Sequence, residues 1–414
     1  MNVYDEWQNS LINANKEKYR DFSDLKWLNP YNAEVFQKKR DQLIRSASNS
    51  WLFKETKPYH HQISQGCKLC GLGQWSCLFI TNKCNANCFY CPAPQNNDEV
   101  PGTQSLSFPT PEEYASYINH FGFKGVSFSG GEPLLFFERT MEYLEHIRKN
   151  CAPGIYIWMY TNGILADEQK FRKLANAGLN EVRFDIGATG YKLDKIKFAK
   201  GIIPHITIEI PAVPEEMERL KKLLPEMIAA GVTNLNLHQL RLTKHNAPKL
   251  MKSNYTFVHA EHPLVLESEL AALEILDHAK QNRLEIGINY CSFHFKNRFQ
   301  KAGFRKKVAQ AFANDKEFIT ENGFIRDYNE NSIGYQTIRI GDENGRTNGY
   351  QHVSLPGKTI STSRVNVMRK TLIPPEYSEQ TENLLLKEPD EIPEDPFLFK
   401  IWQMEYIEKG LREY

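Results

Sequence analysis

The sequence has no surplus of charge of either sign. Lysine and arginine together number 51, aspartate and glutamate number 50, and the formal net charge is +1. Proteins that bind nucleic acid or an acidic membrane surface through general electrostatics usually carry a marked excess of basic residues. The composition therefore gives no support to either class of partner.

Long apolar runs are also missing. No stretch of about 18 consecutive apolar residues is present that could cross a bilayer. Residues Met1–Gln8 lack the basic segment followed by an apolar core that is typical of a secretory signal. We therefore expect a soluble, cytoplasmic protein with no membrane partner. Its 414 residues are enough for a full α/β core with an added module.

Cysteines are few but clustered, and the expected cytoplasmic setting favours metal binding over disulfides. Cys84, Cys88 and Cys91 follow the pattern Cys-x3-Cys-x2-Cys directly after an apolar stretch. Such a loop can hold three corners of a cuboidal iron–sulfur cluster and leave the fourth iron open to a small molecule. A structural zinc site is the alternative, but it would need four protein ligands. Cys151 has no partner in the sequence, and we interpret it as structural.

Apolar strand-like stretches alternate with helical patterns through the middle of the chain. This alternation predicts a parallel sheet with right-handed crossovers. Seven strands predict an α/β fold with a partial, open (β/α) barrel, in which the cysteine loop lies at the carboxyl ends of the strands, where active sites collect. The predicted strands are residues 77–82, 125–129, 155–160, 180–186, 205–210, 234–239 and 284–290.

The chain is expected to divide into three regions, with the barrel in the middle. They are an N-terminal helical extension over residues 1–75, the barrel over 76–310, and a small α+β accessory region over 311–414. In the third region, alternating apolar residues around Asn-Gly turns predict a hairpin over residues 338–354.

Two further motifs end the next two predicted strands. Gly130, Gly131, Glu132 and Pro133 follow strand 125–129, and Thr161-Asn162-Gly163 follows strand 155–160. Together with the cysteine loop, these motifs resemble those of the radical SAM superfamily over residues 76–210, in its activating-enzyme-like branch. The resemblance implies a [4Fe–4S] cluster on the three loop cysteines. It also implies S-adenosylmethionine as a cofactor that is cleaved to a 5′-deoxyadenosyl radical.

The same resemblance implies roles for individual residues around the cofactor. Gly130 and Gly131 would let the backbone approach its amino group, Glu132 would accept a hydrogen bond, and Pro133 would hold the turn. Tyr90 would lie near the adenine. Asn162, Asp185 and Glu209 would face the cofactor from their strand ends, although each could equally be a strand-end cap.

A second group of cysteines predicts a second metal centre. Cys67 and Cys70 form a Cys-x2-Cys pair, and Cys291 ends the last barrel strand. We expect these three to hold an auxiliary iron–sulfur cluster, or alternatively a zinc or a single iron, with Cys77 as a fourth ligand. Cys77 begins a strand whereas Cys291 ends one, which would separate them by roughly 20 Å. His60, His61, His294 or the substrate are therefore alternative fourth ligands, and buried free thiols are the non-functional interpretation.

A segment that interleaves basic residues with phenylalanines follows the last strand, over residues 293–307. It could bind RNA, bind acidic groups of a peptide, or form a plain solvated helix face. An auxiliary cluster favours a peptide or protein substrate, with RNA next. A glycyl-radical activase and a non-catalytic iron–sulfur sensor are further alternatives. A flavodoxin or ferredoxin is the expected reductant.

Overall fold

The computed structural model describes most of the chain. The described residues are 2–47, 50–104, 106–313, 315, 317–329, 332–336, 338–340, 353–355, 358–360, 365–367, 371–372 and 377–406. No helix among them combines the length and the apolar character that a membrane span requires.

The strands were numbered in chain order. They are β1 (Ser50–Leu52), β2 (Lys57–His60), β3 (Trp75–Thr81), β4 (Gly102–Thr103), β5 (Leu106–Ser107), β6 (Gly125–Gly130), β7 (Tyr156–Thr161), β8 (Glu181–Phe184), β9 (His205–Pro211), β10 (Asn234–His238), β11 (Phe257–Val258), β12 (Leu264–Val265), β13 (Gly287–Cys291), β14 (Glu317–Ile319), β15 (Ile325–Asn329), β16 (Ser332–Gln336), β17 (Ile338–Ile340), β18 (Val353–Leu355), β19 (Lys358–Ile360), β20 (Val365–Val367) and β21 (Thr371–Leu372).

The α-helices were numbered in the same way. They are α1 (Val3–Lys18), α2 (Pro30–Ala47), α3 (Gln65–Gly71), α4 (Pro111–Phe121), α5 (Phe137–Asn150), α6 (Glu168–Asn176), α7 (Met217–Ala229), α8 (Ala247–Leu250), α9 (Leu266–Gln281), α10 (Phe293–Phe295), α11 (Ala302–Phe312), α12 (Ser378–Leu386) and α13 (Pro396–Tyr406). A π-helix over Lys296–Lys301 joins α10 to α11.

The centre of the molecule is an open sheet whose strand order is β1-β2-β13-β10-β9-β8-β7-β6-β3-β4-β5. The seven strands from β13 to β3 in this order pair in parallel. At either side the parallel run meets an antiparallel strand, β2 on β13 and β4 on β3. The sheet therefore does not close on itself, and the predicted partial, open (β/α) barrel is confirmed.

Burial explains why the barrel strands could be located in the sequence. All residues of β8 and β13 are buried, and most residues of the other parallel strands are too. Parallel strands are covered on both faces, so they appear in a sequence as short, nearly continuous apolar runs. Helix boundaries carry their own signals: Thr110 caps the start of α4, and Gly122 ends it with a positive φ of 60°.

The N-terminal region contains more than the predicted helices. Strands β1 and β2 form an antiparallel hairpin, and β2 pairs with β13 through Ile288–His60 and Asn289–Tyr59. The predicted helical extension over residues 1–75 therefore also contains a hairpin, whose Lys-Pro-Tyr-His strand has no alternating apolar pattern. Helix α3 then enters the barrel and packs against its floor: Leu69 lies against Gly125, the first residue of β6, and Arg183 leaves no room for a side chain at Gly66.

The C-terminal region combines short antiparallel strands with two helices, as expected for an α+β module. β14, β15, β16 and β21 form one sheet, and α13 packs on α1 through rings such as Phe399 against Tyr4. A hairpin was predicted over residues 338–354, and the described ends of that segment pair elsewhere, β17 with β20 and β18 with β19. Its Asn-Gly turns lie outside the described residues.

Candidate active site

A cavity of about 630 Å³ opens at the carboxyl ends of the parallel strands. Its wall includes the cysteine loop after β3, the turn after β6, and the ends of β7 to β10 and β13. Both groups of cysteines singled out in the sequence line this one cavity. The structure thus brings together segments that are more than 200 residues apart in the chain.

The cysteine loop lies at the mouth of the cavity. Cys84, Cys88 and Cys91 are all partly buried free thiols. The Cys84 sulfur accepts hydrogen bonds from the Ala86 backbone N–H at 3.4 Å and from the Asn162 amide at 3.6 Å. Burial raises the pKa of the Cys88 thiol to about 11, and Asp185 adds to the rise. Metal binding would displace these protons, since only a thiolate is a strong ligand.

The three loop cysteines do not form a ready-made site for a single metal ion. Among the described residues, no three Cys, His, Asp or Glu side chains converge closely enough to hold one metal ion. Zinc at a Zn–S distance of about 2.3 Å would draw its sulfur ligands to roughly 3.8 Å from one another. A cuboidal cluster places several iron and sulfide atoms between the thiolates, so the thiolates stand farther apart.

The Gly-Gly-Glu-Pro turn packs against the base of the cysteine loop. The Gly131 N–H donates to the Thr81 carbonyl at 2.7 Å, and the Glu132 N–H donates to the Lys83 carbonyl at 2.9 Å. Gly130 has a φ of 108°, and a side chain on either glycine would collide with these carbonyls. The glycines therefore allow two backbones to meet. Their approach to a cofactor amino group stays a prediction.

Glu132 is fully buried and joins two of the predicted motifs. Its carboxylate accepts hydrogen bonds from Thr161 Oγ1 at 2.8 Å, from the Asn162 N–H at 2.7 Å and from the Leu134 N–H at 3.0 Å. Burial raises the pKa of Glu132 to about 7, against the opposing effect of these donors. Glu132 does not line the cavity. Its observed hydrogen bonds link the Gly-Gly-Glu-Pro turn to the end of β7. The predicted hydrogen bond from Glu132 to the cofactor stays a prediction. Pro133 begins the short 3₁₀-helix Pro133–Phe136 behind it.

Tyr90, Asn162 and Asp185 line the cavity as predicted positions for cofactor contacts. Tyr90 Oη donates to Asp185 Oδ1 at 2.7 Å, and Asp185 also accepts from the Gly187 N–H at 3.1 Å. Burial raises the pKa of Asp185 to about 6. Asp185 and Asn162 thus cap their strand ends and also line the cavity. Their predicted contacts with the cofactor stay a prediction.

The second cysteine group lies deeper. Cys67 and Cys70 project from α3, and Cys291 ends β13 beside His238, its register partner on β10. Burial raises the pKa of the Cys70 thiol well above its usual range, and the neighbouring Cys291 and Cys67 raise it further. At Cys291 burial is outweighed by Lys57, His238 and Lys296, which bring its pKa to about 6. Sequence-distant thiols therefore share one electrostatic environment.

Cys77 stands apart from this trio. β3 begins at Trp75, two residues earlier than predicted, so Cys77 is the third residue of its strand and pairs with Ser127. It lines the cavity, but burial raises its pKa to about 12, and the groups at its sulfur are the Ser127 and Ser129 hydroxyls. The histidines proposed as substitutes do not line the cavity. His60 is bonded to the Leu284 carbonyl at 2.8 Å, His61 is exposed, and His294 lies outside the wall.

A buried polar network forms part of the cavity wall. Arg183 pairs with Glu181 at 2.9 Å and with Glu209 at 2.6 Å, and Glu209 also contacts His238 Nε2 at 2.6 Å. Burial alone would raise the pKa of Glu209, but Arg183 and His238 hold it far below its usual range. The sequence analysis singled out Glu209 but missed Arg183. A charged residue inside an apolar parallel strand was the available signal.

The basic segment after β13 does not form one charged face. Lys296 lines the cavity, whereas Arg298 is buried and donates to Asn322 Oδ1 at 3.2 Å. Lys307 donates to the Phe121 carbonyl at 3.1 Å. These cations point to three different places, which does not favour a continuous RNA-binding surface.

Comparisons with known proteins agree with this geometry. Residues 78–197 match the family model described as the radical SAM superfamily. A putative glycyl-radical enzyme activating enzyme of Methanocaldococcus jannaschii is 29% identical over 277 residues, which cover 64% of this chain and 72% of the relative. A probable GTP 3′,8-cyclase of the same organism is 38% identical over 124 residues, but the match spans only 28% of this chain and 38% of the cyclase.

Two solved structures align with part of this chain. Streptococcus suis SuiB bound to S-adenosylmethionine aligns with 60% of this chain and 58% of its own at a TM-score of 0.39 and 12% identity. The structure described as native anSMEcpe with bound AdoMet aligns with 39% of this chain and 50% of its own at a TM-score of 0.31 and 19% identity. Scores this low carry no functional argument.

Proposed function

We propose that this chain, whose residues 78–197 match the radical SAM superfamily, modifies a peptide or protein by hydrogen abstraction with a [4Fe–4S] cluster and S-adenosylmethionine. A reduced cluster held by the loop cysteines, together with S-adenosylmethionine, would supply a 5′-deoxyadenosyl radical for that abstraction. The observation that carries the proposal is the position of the Cys84, Cys88 and Cys91 loop at the mouth of a deep cavity at the carboxyl ends of the strands.

The chain's own residues hold and orient the reactants. Cys84, Cys88 and Cys91 would hold three irons. The Asn162 amide, fixed by Asn85 Oδ1 at 2.7 Å, keeps an N–H directed at the Cys84 sulfur. Such donors stabilise a ligating thiolate and tune its cluster. The Tyr90–Asp185 hydrogen bond ties the cysteine loop to the end of β8. This contact would help to keep water from the cofactor.

The choice of a peptide or protein substrate has two supports. The relative that matches 64% of this chain is named as an activating enzyme, which implies a protein as its target. The near-zero net charge and the dispersed cations of residues 293–307 do not favour RNA. Glycyl-radical activation is the second candidate, favoured by the same relative. An external reductant, flavodoxin or ferredoxin, is part of the proposal.

The basic test is cofactor cleavage. The protein is reconstituted anaerobically with iron and sulfide, then given S-adenosylmethionine and dithionite, and 5′-deoxyadenosine is measured by chromatography with mass detection. We expect product from the wild-type protein and none above background from Cys88→Ala. A fully loaded wild-type protein that forms no product would favour the non-catalytic sensor.

A second test separates the substrate classes. Candidate partner proteins are added to the active mixture, and the products are examined by peptide mass spectrometry and electron paramagnetic resonance. A mass change on a peptide supports the proposal, and a glycyl radical on the partner identifies the activase. Substrate-dependent consumption of the cofactor with RNA alone would overturn the peptide assignment.

A further inference from the structure

We propose that Cys67, Cys70 and Cys291 bind a second iron–sulfur cluster at the inner end of the cavity that the first cluster shares. The three cysteines come from two elements that the fold holds rigidly. Cys67 and Cys70 are one turn apart on α3, whose first turn is capped by Ser64 Oγ accepting from the Cys67 N–H at 3.2 Å. Cys291 is fixed by the pairing of β13 with β10 and β2.

The Cys67 sulfur is placed as a hydrogen-bond acceptor. Asn236 Nδ2 donates to it at 3.3 Å and Arg183 Nη1 at 3.8 Å. Further contacts fix the position of both donors. Asn236 also donates to Glu209 at 2.9 Å, and Arg183 is paired with two carboxylates. Metal-bound thiolates characteristically receive N–H donors of this kind from the surrounding protein. The sulfur environment is therefore that of a ligand rather than of a plain core thiol.

A buried cation faces the same trio. The Lys57 side chain is on a residue only 1% exposed, and its ammonium lies 4.2 Å from the centroid of the Phe295 ring. Ser292, which follows Cys291, donates to the carbonyl of Thr56, which precedes Lys57, at 2.9 Å. This bond holds the two segments side by side. Within the described part of the chain, no carboxylate forms an ion pair with Lys57, because Glu181 and Glu209 are engaged by Arg183 and His238.

A buried ammonium favours negative charge on the sulfurs that face it, so the site suits a compact anionic group. Three thiolates around an iron–sulfur core would supply that charge. The trio forms no disulfide, because all three cysteines are free. Among the described residues, the three thiols are not arranged as a ready-made site for a single metal ion. Cys77 is left out of the ligand set because the Ser127 and Ser129 hydroxyls occupy its surroundings.

Two reciprocal triple variants test the proposal. One is C67A/C70A/C291A and the other is C84A/C88A/C91A. Each is reconstituted anaerobically and analysed for iron, acid-labile sulfide and zinc, with electron paramagnetic resonance of the reduced protein. We expect about 8 iron atoms per wild-type chain and about 4 in each variant, with distinct reduced spectra for the two clusters. Cys77→Ala and Cys151→Ser are the matched controls and should keep about 8.

The C84A/C88A/C91A variant keeps the test decisive if C67A/C70A/C291A does not fold. Its substitutions lie in the loop at the cavity mouth, outside the barrel strands. A C84A/C88A/C91A protein without iron and sulfide, or with zinc in place of both, would overturn the second cluster. So would a folded C67A/C70A/C291A protein with the full wild-type iron content. Neither result depends on cofactor cleavage, so failure of this inference is distinguishable from failure of the proposed function.

Discussion

The two cysteine groups share a cavity but are built in opposite ways. The first lies within eight residues of one loop and is partly exposed, and its Cys84 sulfur accepts from a backbone N–H and a side-chain amide. The second is drawn from residues 67, 70 and 291, lies deep in the barrel, and is surrounded by ionised side chains. A local motif can hold its ligands by its own backbone, whereas a distributed site depends on the whole fold to place them. The variants below separate these two modes of construction.

The largest difference is expected in cofactor cleavage. Cys88→Ala should lower 5′-deoxyadenosine formation by on the order of 100-fold or more, because it removes a direct cluster ligand. Cys70→Ala should leave uncoupled cleavage within about tenfold of wild type, since this thiol belongs to the other group. Rates are compared after both variants are loaded with iron and sulfide. Equal loss in the two variants would show that the groups act as one centre.

The next largest effect is expected on stability. Arg183→Met leaves Glu181 and Glu209 buried without their common cation, and we expect a loss of about 3–5 kcal/mol in unfolding free energy. The matched control is Arg172→Met, whose exposed partner is Glu168 and whose loss should stay within about 1 kcal/mol. Denaturant unfolding of both proteins provides the measurement. Similar values for the two would mean that the deep group does not rely on this ion network.

Glu132, the buried carboxyl group next to the cysteine loop, should make the stability of the fold decrease as the pH rises. Glu209 in the deep network has a lowered pKa and should not have this effect. Burial raises the pKa of Glu132 from 4.5 to about 7. Its contribution to stability is therefore present below pH 4.5 and is lost as the pH rises through about 7. Glu132→Gln should make the melting temperature fall less steeply across this interval. Glu138→Gln, on an exposed residue of α5, is the control. An unchanged slope in Glu132→Gln would show that another group causes the pH dependence.

The smallest effect is expected at a cysteine outside both groups. Cys151 lies between α5 and β7, and its thiol donates a hydrogen bond to the Ala115 carbonyl at 3.8 Å. Cys151→Ser should change the unfolding free energy by about 1 kcal/mol or less and leave the iron content unchanged. Iron analysis and thermal unfolding measure both quantities. A loss of iron in this variant would contradict the division of the cysteines into two groups.

The same contrast explains what could be predicted from the sequence. The cysteine loop and the seven parallel strands are local patterns, and both were found within a few residues of their observed bounds. The hairpin at residues 50–60 was missed, because Lys57–His60 gains its strand conformation from pairing with β13. The packing of α3 inside the barrel and the partnership of Arg183 with Glu209 depend on contacts between distant segments. No local periodicity encodes such contacts.

The most direct measurement is anomalous X-ray scattering from crystals of the anaerobically reconstituted protein, recorded on either side of the iron and zinc absorption edges. The account predicts two separate iron peaks in one cavity, one against Cys84, Cys88 and Cys91 and the other against Cys67, Cys70 and Cys291. A zinc peak at the loop, or no metal beside the deep cysteines, would contradict it.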